Sequence, residues 1–183
     1  MISLLKKLFG SSADTQKAVT RIPLPYTEAE KDVFLECYKD TLIKHGWVIE
    51  TSPSASPVER QKELAKSQLA AMLDSDLLNF LFSFKKLEND TEDAWFVELD
   101  TLADDLSSWD NHLVIMESCI IEDSTISVIL QGKDKGKFVY CNEGIYEDAE
   151  IIADNFFSFL QLHAYCVELG KDHYKDNLLW PFV

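Results

Sequence analysis

The hydrophobic positions in the first part of the chain recur with the spacing of an α-helix. Thr27 and Glu30 have the separation of a capping box, which predicts that a helix begins at residue 27. Gly46 favours its end. Between these positions, apolar residues follow one another at intervals of three and four, and we expect them to form a buried face that Trp47 extends. The residues of this face are Val33, Phe34, Cys37, Tyr38 and Leu42.

Two more helical stripes follow a loop rich in Ser and Pro at residues 51–57. Pro57 suits the first turn of the next helix. The apolar stripe of that helix includes Leu64, Leu69, Met72 and Leu73. Asp74 or Ser75 is the expected cap of a further helix, in which residues 77–84 are apolar nearly all round. A helix without a polar face is expected to lie deep in the core.

The second half of the chain contains short runs rich in β-branched and aromatic residues, which predict strands. These runs are residues 94–97, 112–116, 125–130 and 137–141. The Lys, Asp and Gly residues at 133–137 favour a hairpin tip. From Asp154 the spacing becomes helical again, with Asp154 as the expected cap and Gly170 as the expected end. The apolar face of this last helix is Phe156, Phe159, Leu160 and His163.

Helices followed by an antiparallel meander and a closing helix define an α+β fold. We expect an antiparallel sheet of about four to six strands covered by helices, with an extra N-terminal helical segment.

The order of these elements resembles that of the SMI1/KNR4 family, also called the SUKH superfamily. The matching segments are residues 76–84, 112–117, 125–130 with 137–141, and the closing run 153–160. The resemblance covers about residues 59–169 and depends on the order of its hydrophobic motifs. It implies that residues 1–56 are an N-terminal extension with an amphipathic segment, a linker and one helix. Residues 57–183 would then be a SMI1/KNR4-like domain with a C-terminal tail.

Composition adds one unusual property, which is charge. Of 183 residues, 46% are hydrophobic, and this is enough apolar material for one domain with a core. The 32 Asp and Glu residues exceed the 17 Lys and Arg residues, so the net charge is -15. Because such a chain repels phosphates and anionic lipids, we expect a basic protein as its partner, and neither nucleic acid nor a membrane.

The cysteines and the N-terminal segment bear on the cellular compartment. No cysteine has C-x-x-C or other ligand spacing, which favours buried free thiols in a reducing compartment. The cysteines are Cys37, Cys119, Cys141 and Cys166. Lys6 and Lys7 interrupt the apolar run of residues 1–10, which predicts a short amphipathic helix or a loose tail instead of a signal peptide. No stretch approaches the roughly 20 apolar residues of a membrane span, so the predicted location is cytoplasmic.

No motif specifies catalysis, a metal or a cofactor. The chain has no glycine-rich phosphate loop, no G-x-S-x-G elbow and no histidine pair at zinc-helix spacing. His163 lies on the apolar side of a predicted helix, and we expect it to be a hydrogen-bonded core residue. The adjacent acids at 104–105 and 122–123 suit solvated loops better than catalytic dyads. We therefore predict no catalytic residue, no metal and no cofactor.

The acidic residues are concentrated in one part of the sequence. Residues 87–130 contain twelve Asp and Glu residues and no Lys or Arg. Either these acids lie near one edge of the sheet as a negative patch for a cationic partner, or they are scattered for solubility. Aromatic residues among them would serve as anchors. The predicted partner-binding residues are Asp104, Asp105, Trp109, Asp110, Glu122, Asp123, Glu143, Tyr146, Glu147 and Asp148.

The resemblance also implies a function. The family includes bacterial immunity proteins, which bind and neutralise a cognate toxin domain, and the negative charge suits a cationic, nuclease-like toxin. The prediction is a non-catalytic cytoplasmic protein that covers the active surface of such a toxin. A regulatory interaction scaffold of the SMI1/KNR4 type is the first alternative, and an enzyme with a carboxylate-rich site is a less favoured one. The apolar tail at residues 178–183 is expected to dock on the body of the protein or on a second copy, as a homodimer.

Overall fold

The computed structural model describes residues 22–51, 68–89, 94–96, 111–118, 124–141 and 149–169. These residues include four helices: α1 (Glu28–Lys44), α2 (Gln68–Met72), α3 (Ser75–Ser83) and α4 (Phe156–Leu169). They also include seven strands: β1 (Val48–Thr51), β2 (Phe84–Asn89), β3 (Ala94–Phe96), β4 (His112–Ser118), β5 (Ser124–Ile129), β6 (Phe138–Cys141) and β7 (Glu150–Ala153).

The seven strands form one antiparallel sheet in which every strand lies beside its neighbours in sequence, in the order β1 to β7. The predicted α+β class is confirmed, and the strand count is one above the predicted range. The additional strands are short or polar. β2 has the sequence FKKLEN, with only Leu87 and Asn89 buried, and it is held by pairing with β1 and β3. Its polar sequence gives little alternating apolar signal.

The helices pack on one face of this sheet. The main core combines helix residues such as Leu77 and Phe159 with strand residues such as Ile115 and Phe138. Val139 and Cys141 alternate with the inward-facing residues of β6 and form a second, smaller cluster with Ile129. Because side chains alternate along a strand, this second cluster lies on the other face of the sheet.

Helix α1 begins and ends as predicted, but its buried face is narrower than the pattern suggests. Thr27 and Glu30 form the capping box, and Gly46 follows the helix with a positive φ of 87°. The buried residues are Phe34, Tyr38 and Leu42. The prediction that Val33 and Cys37 are buried is wrong, because Val33 is 64% exposed and Cys37 is exposed. Residues at four-residue steps form a single strip, and a position one residue away from that strip is rotated by about 100°.

Helix α1 belongs to the same core as the rest of the described chain. The ring of Phe34 meets the ring of Phe157 edge to face, with 5.3 Å between centroids. Trp47, which follows α1, is buried as predicted. β1 pairs with β2 through Ile49 opposite Leu87. The described residues on both sides of the predicted boundary at residue 56 therefore share one sheet and one core.

The predicted N-cap of α3 is confirmed, whereas that of α4 is wrong. Asp74 caps α3 as expected, by accepting a hydrogen bond of 2.8 Å from the Asp76 amide. The expected cap of α4, Asp154, is wrong by one residue, since Asn155 Oδ1 accepts from the Ser158 amide at 3.0 Å. Asp154 instead pairs with Lys137 at 3.4 Å. Both residue types are good caps, so sequence alone does not separate neighbours.

Candidate protein-binding surface

The partner-binding residues predicted from the sequence all lie outside the described residues. These are Asp104, Asp105, Trp109, Asp110, Glu122, Asp123, Glu143, Tyr146, Glu147 and Asp148. Of the twelve acids between residues 87 and 130, the described part of the chain contains Glu88 and Glu117. Both are half-buried strand residues, and Glu88 is paired with Lys86. The predicted patch consequently stays a prediction.

A different acidic surface is present on the side of α1 that faces away from the core. We call it the outer face of α1 and define it by exposed residues of that helix. They are Ala29, Asp32, Val33, Glu36, Cys37, Asp40 and Ile43. Val33 and Ile43 are 64% and 58% exposed, and Tyr26, immediately before the helix, is 91% exposed. Aliphatic and acidic side chains therefore share one exposed helix face.

The charges of α1 leave this helix negative. It carries five carboxylates and three lysines, which gives 3 - 5 = -2. Lys39 pairs with Glu36 at 2.8 Å, and this exposed pair at i, i+3 contributes little to stability. Asp32 and Asp40 have no ion pair with any residue that the structure describes. Their carboxylates are free to attract a cation from outside the protein.

Lys31 and Glu30, in contrast, are committed to the structure of the helix. Lys31 pairs with Asp76 of α3 at 2.7 Å and with Glu28 at 2.8 Å. The hydrogen bond to Asp76, and then that to Glu28, raises the pKa of the Lys31 ammonium. Glu30 accepts hydrogen bonds of 2.9 Å from the amides of Tyr26 and Thr27, which hold its pKa below the ordinary range. These contacts fix the start of α1 and do not neutralise Asp32 or Asp40.

The core beneath the outer face holds α1 in position. The Tyr38 hydroxyl and His163 Nδ1 of α4 are joined by a hydrogen bond of 2.7 Å, and both residues are fully buried. This confirms His163 as a hydrogen-bonded core residue. The ring of Trp47 stands edge to face against His163 at 5.0 Å, and the ring of Phe96 lies at 5.7 Å. Burial raises the pKa of Tyr38 well above its usual value, so the phenol keeps its proton.

The thiols divide between this surface and the interior. Cys141 and Cys166 are buried, as predicted, whereas Cys37 lies on the outer face of α1. Burial raises the pKa of Cys141 to about 11 and that of Cys166 to about 12, so both stay protonated at neutral pH. Cys119 lies outside the described residues. Cys37 is thus the exposed thiol among the described ones.

A cleft of about 540 Å³ is a second candidate site, bounded by the start of α3, the β5–β6 hairpin and the start of α4. Its carboxylates are already engaged with the protein. Asp76 binds Lys31, Asp154 binds Lys137, and Asp74 caps α3. A ligand of these carboxylates would have to compete with those contacts, whereas Asp32 and Asp40 on the outer face of α1 have no ion pair among the described residues.

The described residues contain neither a metal-binding cluster nor a membrane-spanning helix. No group of three or more His, Cys, Asp and Glu residues is placed to hold a metal ion. None of the described helices has the length and apolarity needed to cross a membrane.

No protein-family model, curated protein or solved structure matches the chain.

The outer face of α1 was missed from the sequence because Val33 and Cys37 fit the helical spacing of a core. One signal was available. Asp32, Glu36 and Asp40 follow each other at four-residue intervals, and Val33 and Cys37 each stand one residue after an acid of this row. Val33 also stands three residues before Glu36, and Cys37 three residues before Asp40, and side chains three positions apart are neighbours on a helix surface.

Proposed function

We propose that this protein is a non-catalytic cytoplasmic immunity protein, which binds a cationic, nuclease-like toxin domain and covers its active surface. The observation that carries the proposal is the outer face of α1, where carboxylates and exposed aliphatic side chains share one helix. The net charge of the chain, -15, supports the same kind of partner.

The two kinds of side chain have different roles in the proposed complex. Asp32 and Asp40 attract and orient a basic surface, which accelerates association. Val33 and Ile43, at 64% and 58% exposure, supply apolar area that the partner removes from water. A nuclease exposes basic groups where it binds phosphates, so an acidic protein at that place excludes the substrate.

The acids predicted from the sequence remain part of this proposal. If residues such as Asp104 and Glu122 extend the negative surface, the contact is larger than α1 alone provides. A single helix face is smaller than the roughly 800 Å² that each partner buries in a standard complex. The proposed interface therefore needs residues beyond α1.

A regulatory interaction scaffold of the SMI1/KNR4 type is the second candidate. The exposure of Tyr26, Val33 and Ile43 favours it, because these side chains suit a protein partner of any charge. The two candidates differ in what charge reversal does. Reversal abolishes binding of a cationic toxin, but it has little effect on a scaffold contact dominated by apolar side chains.

Growth rescue tests the proposal. The chain is co-expressed with the protein that the gene immediately upstream encodes, and growth of the host is measured. The test variant is D32K/D40K on the outer face of α1. The matched control is E50K/E150K, which changes the net charge equally at exposed positions of β1 and β7. We expect rescue by the wild-type chain and by the control, and loss of rescue by D32K/D40K.

Two results would contradict the proposal. If the upstream protein is toxic and the wild-type chain does not restore growth, the protein is not its immunity protein. If D32K/D40K and E50K/E150K rescue equally well, the outer face of α1 is not the contact. Circular dichroism of the purified variants separates loss of binding from loss of folding.

A further inference from the structure

We propose that the outer face of α1 is the docking surface of the N-terminal segment of the same chain, residues 2–9. This contact is intramolecular and does not depend on the identity of any partner.

The exposed apolar residues on α1 follow a regular pattern. Ala29, Val33 and Cys37 follow each other at four-residue intervals, so they lie in one line along the helix. Ile43, 58% exposed, lies farther along the outer face. Tyr26, 91% exposed, stands just before the helix begins. Such a line of apolar residues is typical of a surface on which a second helix packs, and no described helix packs on it.

The sequence of the N-terminal segment has a complementary pattern. Its apolar residues have the three- and four-residue spacing of a helix face, and the charged residues on the other side are both lysines. The apolar residues are Ile2, Leu4, Leu5, Leu8 and Phe9. Lys6 and Lys7 give the segment a charge opposite to that of Asp32, Glu36 and Asp40. An apolar stripe bordered by lysines fits an apolar line bordered by carboxylates.

The connecting chain is long enough for the N-terminal segment to reach α1. Twelve residues, 10–21, connect the segment to Ile22, and such a length of chain extends up to about 40 Å. Ile22 is held beside α4, because Gln161 Nε2 donates a hydrogen bond to its carbonyl. Helix α1 begins six residues after Ile22 and is about 25 Å long. The segment can therefore reach any part of the outer face.

A second copy of the protein is a poorer occupant of the same surface. Two outer faces would bring Asp32, Glu36 and Asp40 of one chain against the same carboxylates of the other, and like charges disfavour that contact. The N-terminal segment brings lysines instead. Because it is tethered, it is present at a high effective concentration, and a short contact can suffice.

Cys37 provides the measurement, since it lies within the apolar line and is exposed. Its labelling is followed with N-ethylmaleimide and with a neutral polyethylene glycol maleimide of several kilodaltons. The thiolate attacks the maleimide of either reagent, so the ratio of the two rates cancels the thiolate fraction and reports steric cover. A Cys119→Ser background is used throughout, and Cys141 and Cys166 are protected by burial.

Four proteins are compared: the full chain, a chain lacking residues 2–10, the full chain with K6E/K7E, and the full chain with K133E/K135E. The last is the matched control, because it reverses two exposed lysines on the β5–β6 hairpin. We expect the rate ratio of the large to the small reagent at Cys37 to rise at least about fivefold in the deletion and in K6E/K7E, but not in K133E/K135E.

Equal ratios in the full chain and in either the deletion or K6E/K7E would overturn the proposal. A rise in K133E/K135E would overturn it as well, because the effect would then follow net charge and not docking. K6E/K7E keeps the full chain length, so the test does not rely on the shortened chain folding. Protection of Cys166 in every variant verifies that the core is intact.

Discussion

Replacing Tyr38 with phenylalanine removes a single oxygen from the contact that holds α1 on α4. The hydroxyl lies 2.7 Å from His163 Nδ1, and both residues are fully buried. The phenylalanine ring can keep the packing of Tyr38 against Phe80, where the ring centroids are 6.0 Å apart. The substitution therefore isolates the hydrogen bond from the apolar packing around it.

The expected loss follows from the complete burial of this pair. Water does not reach the site, so it cannot replace the lost partner of the imidazole nitrogen. A buried polar group left without its partner costs about 1–3 kcal/mol. With a urea dependence of roughly 2 kcal/mol/M for a domain of this size, the unfolding midpoint should fall by about 0.5–1.5 M.

The measurement is urea unfolding at pH 7, followed by circular dichroism. Tyr26→Phe is the matched control, because it removes the same oxygen from a side chain that is 91% exposed. We expect Tyr26→Phe to stay within about 0.5 kcal/mol of the wild-type free energy of unfolding. If Tyr38→Phe unfolds at the wild-type midpoint, the hydrogen bond does not contribute to the stability of the protein. If both variants lose stability equally, the burial of the Tyr38 hydroxyl does not explain the loss of stability in Tyr38→Phe.

Two further predictions concern the two sides of α1 and its capping box. Leu42→Ala, at a fully buried position, should lower the free energy of unfolding by about 2–5 kcal/mol. Val33→Ala should change it by no more than about 0.5 kcal/mol. If both variants lose comparable stability in urea unfolding, Val33 is part of the core and the assignment of the outer face is wrong. Glu30→Ala should destabilise the protein at pH 7, because the amides of Tyr26 and Thr27 hold the pKa of this carboxylate below its ordinary value of 4.5. A lowered pKa stabilises the fold above the ordinary value, and this contribution disappears as the pH falls through the pKa of the folded protein. The difference in unfolding free energy between wild type and Glu30→Ala should accordingly shrink between pH 7 and pH 3, and a difference that grows toward pH 3 would contradict the assignment.

Local signals with a strong physical cause were predictable from the sequence. The capping box of Thr27 and Glu30 satisfies specific amides, so its spacing identifies the start of α1. The apolar run of α3 predicted a buried helix, and Leu77, Leu78, Phe80 and Leu81 are buried. The hairpin between β5 and β6 was predictable because its glycines suit a tight turn, and Gly136 has a φ of 84°.

Features that depend on tertiary neighbours were not predictable in the same way. β2 has two consecutive lysines, Lys85 and Lys86, and becomes a strand because β1 and β3 lie on either side of it. Phe84 continues the apolar run of α3, yet it begins β2 with an extended backbone. Val33 has the spacing of a core residue but lies beyond the contact with α4. In each case the deciding partner is distant in sequence.

Tertiary neighbours also decide which residues of α1 form the candidate surface. Periodicity identifies the apolar positions of α1, but the width of the face that α4 covers determines which of these residues remain outside. Phe34 and Tyr38 are covered by Phe157 and His163. Val33 and Cys37 are left beside Asp32, Glu36 and Asp40. The candidate surface thus lies where a core was predicted.

The rate of association with the purified toxin domain tests the central claim most directly. It is measured by stopped-flow fluorescence for the wild-type chain, D32K/D40K and E50K/E150K, at low and at high ionic strength. The proposal predicts that D32K/D40K associates about tenfold more slowly at low ionic strength, that E50K/E150K stays close to wild type, and that the difference narrows as salt screens the charges. Equal rates for D32K/D40K and wild type at low ionic strength would contradict the claim that the acidic outer face of α1 recruits the partner.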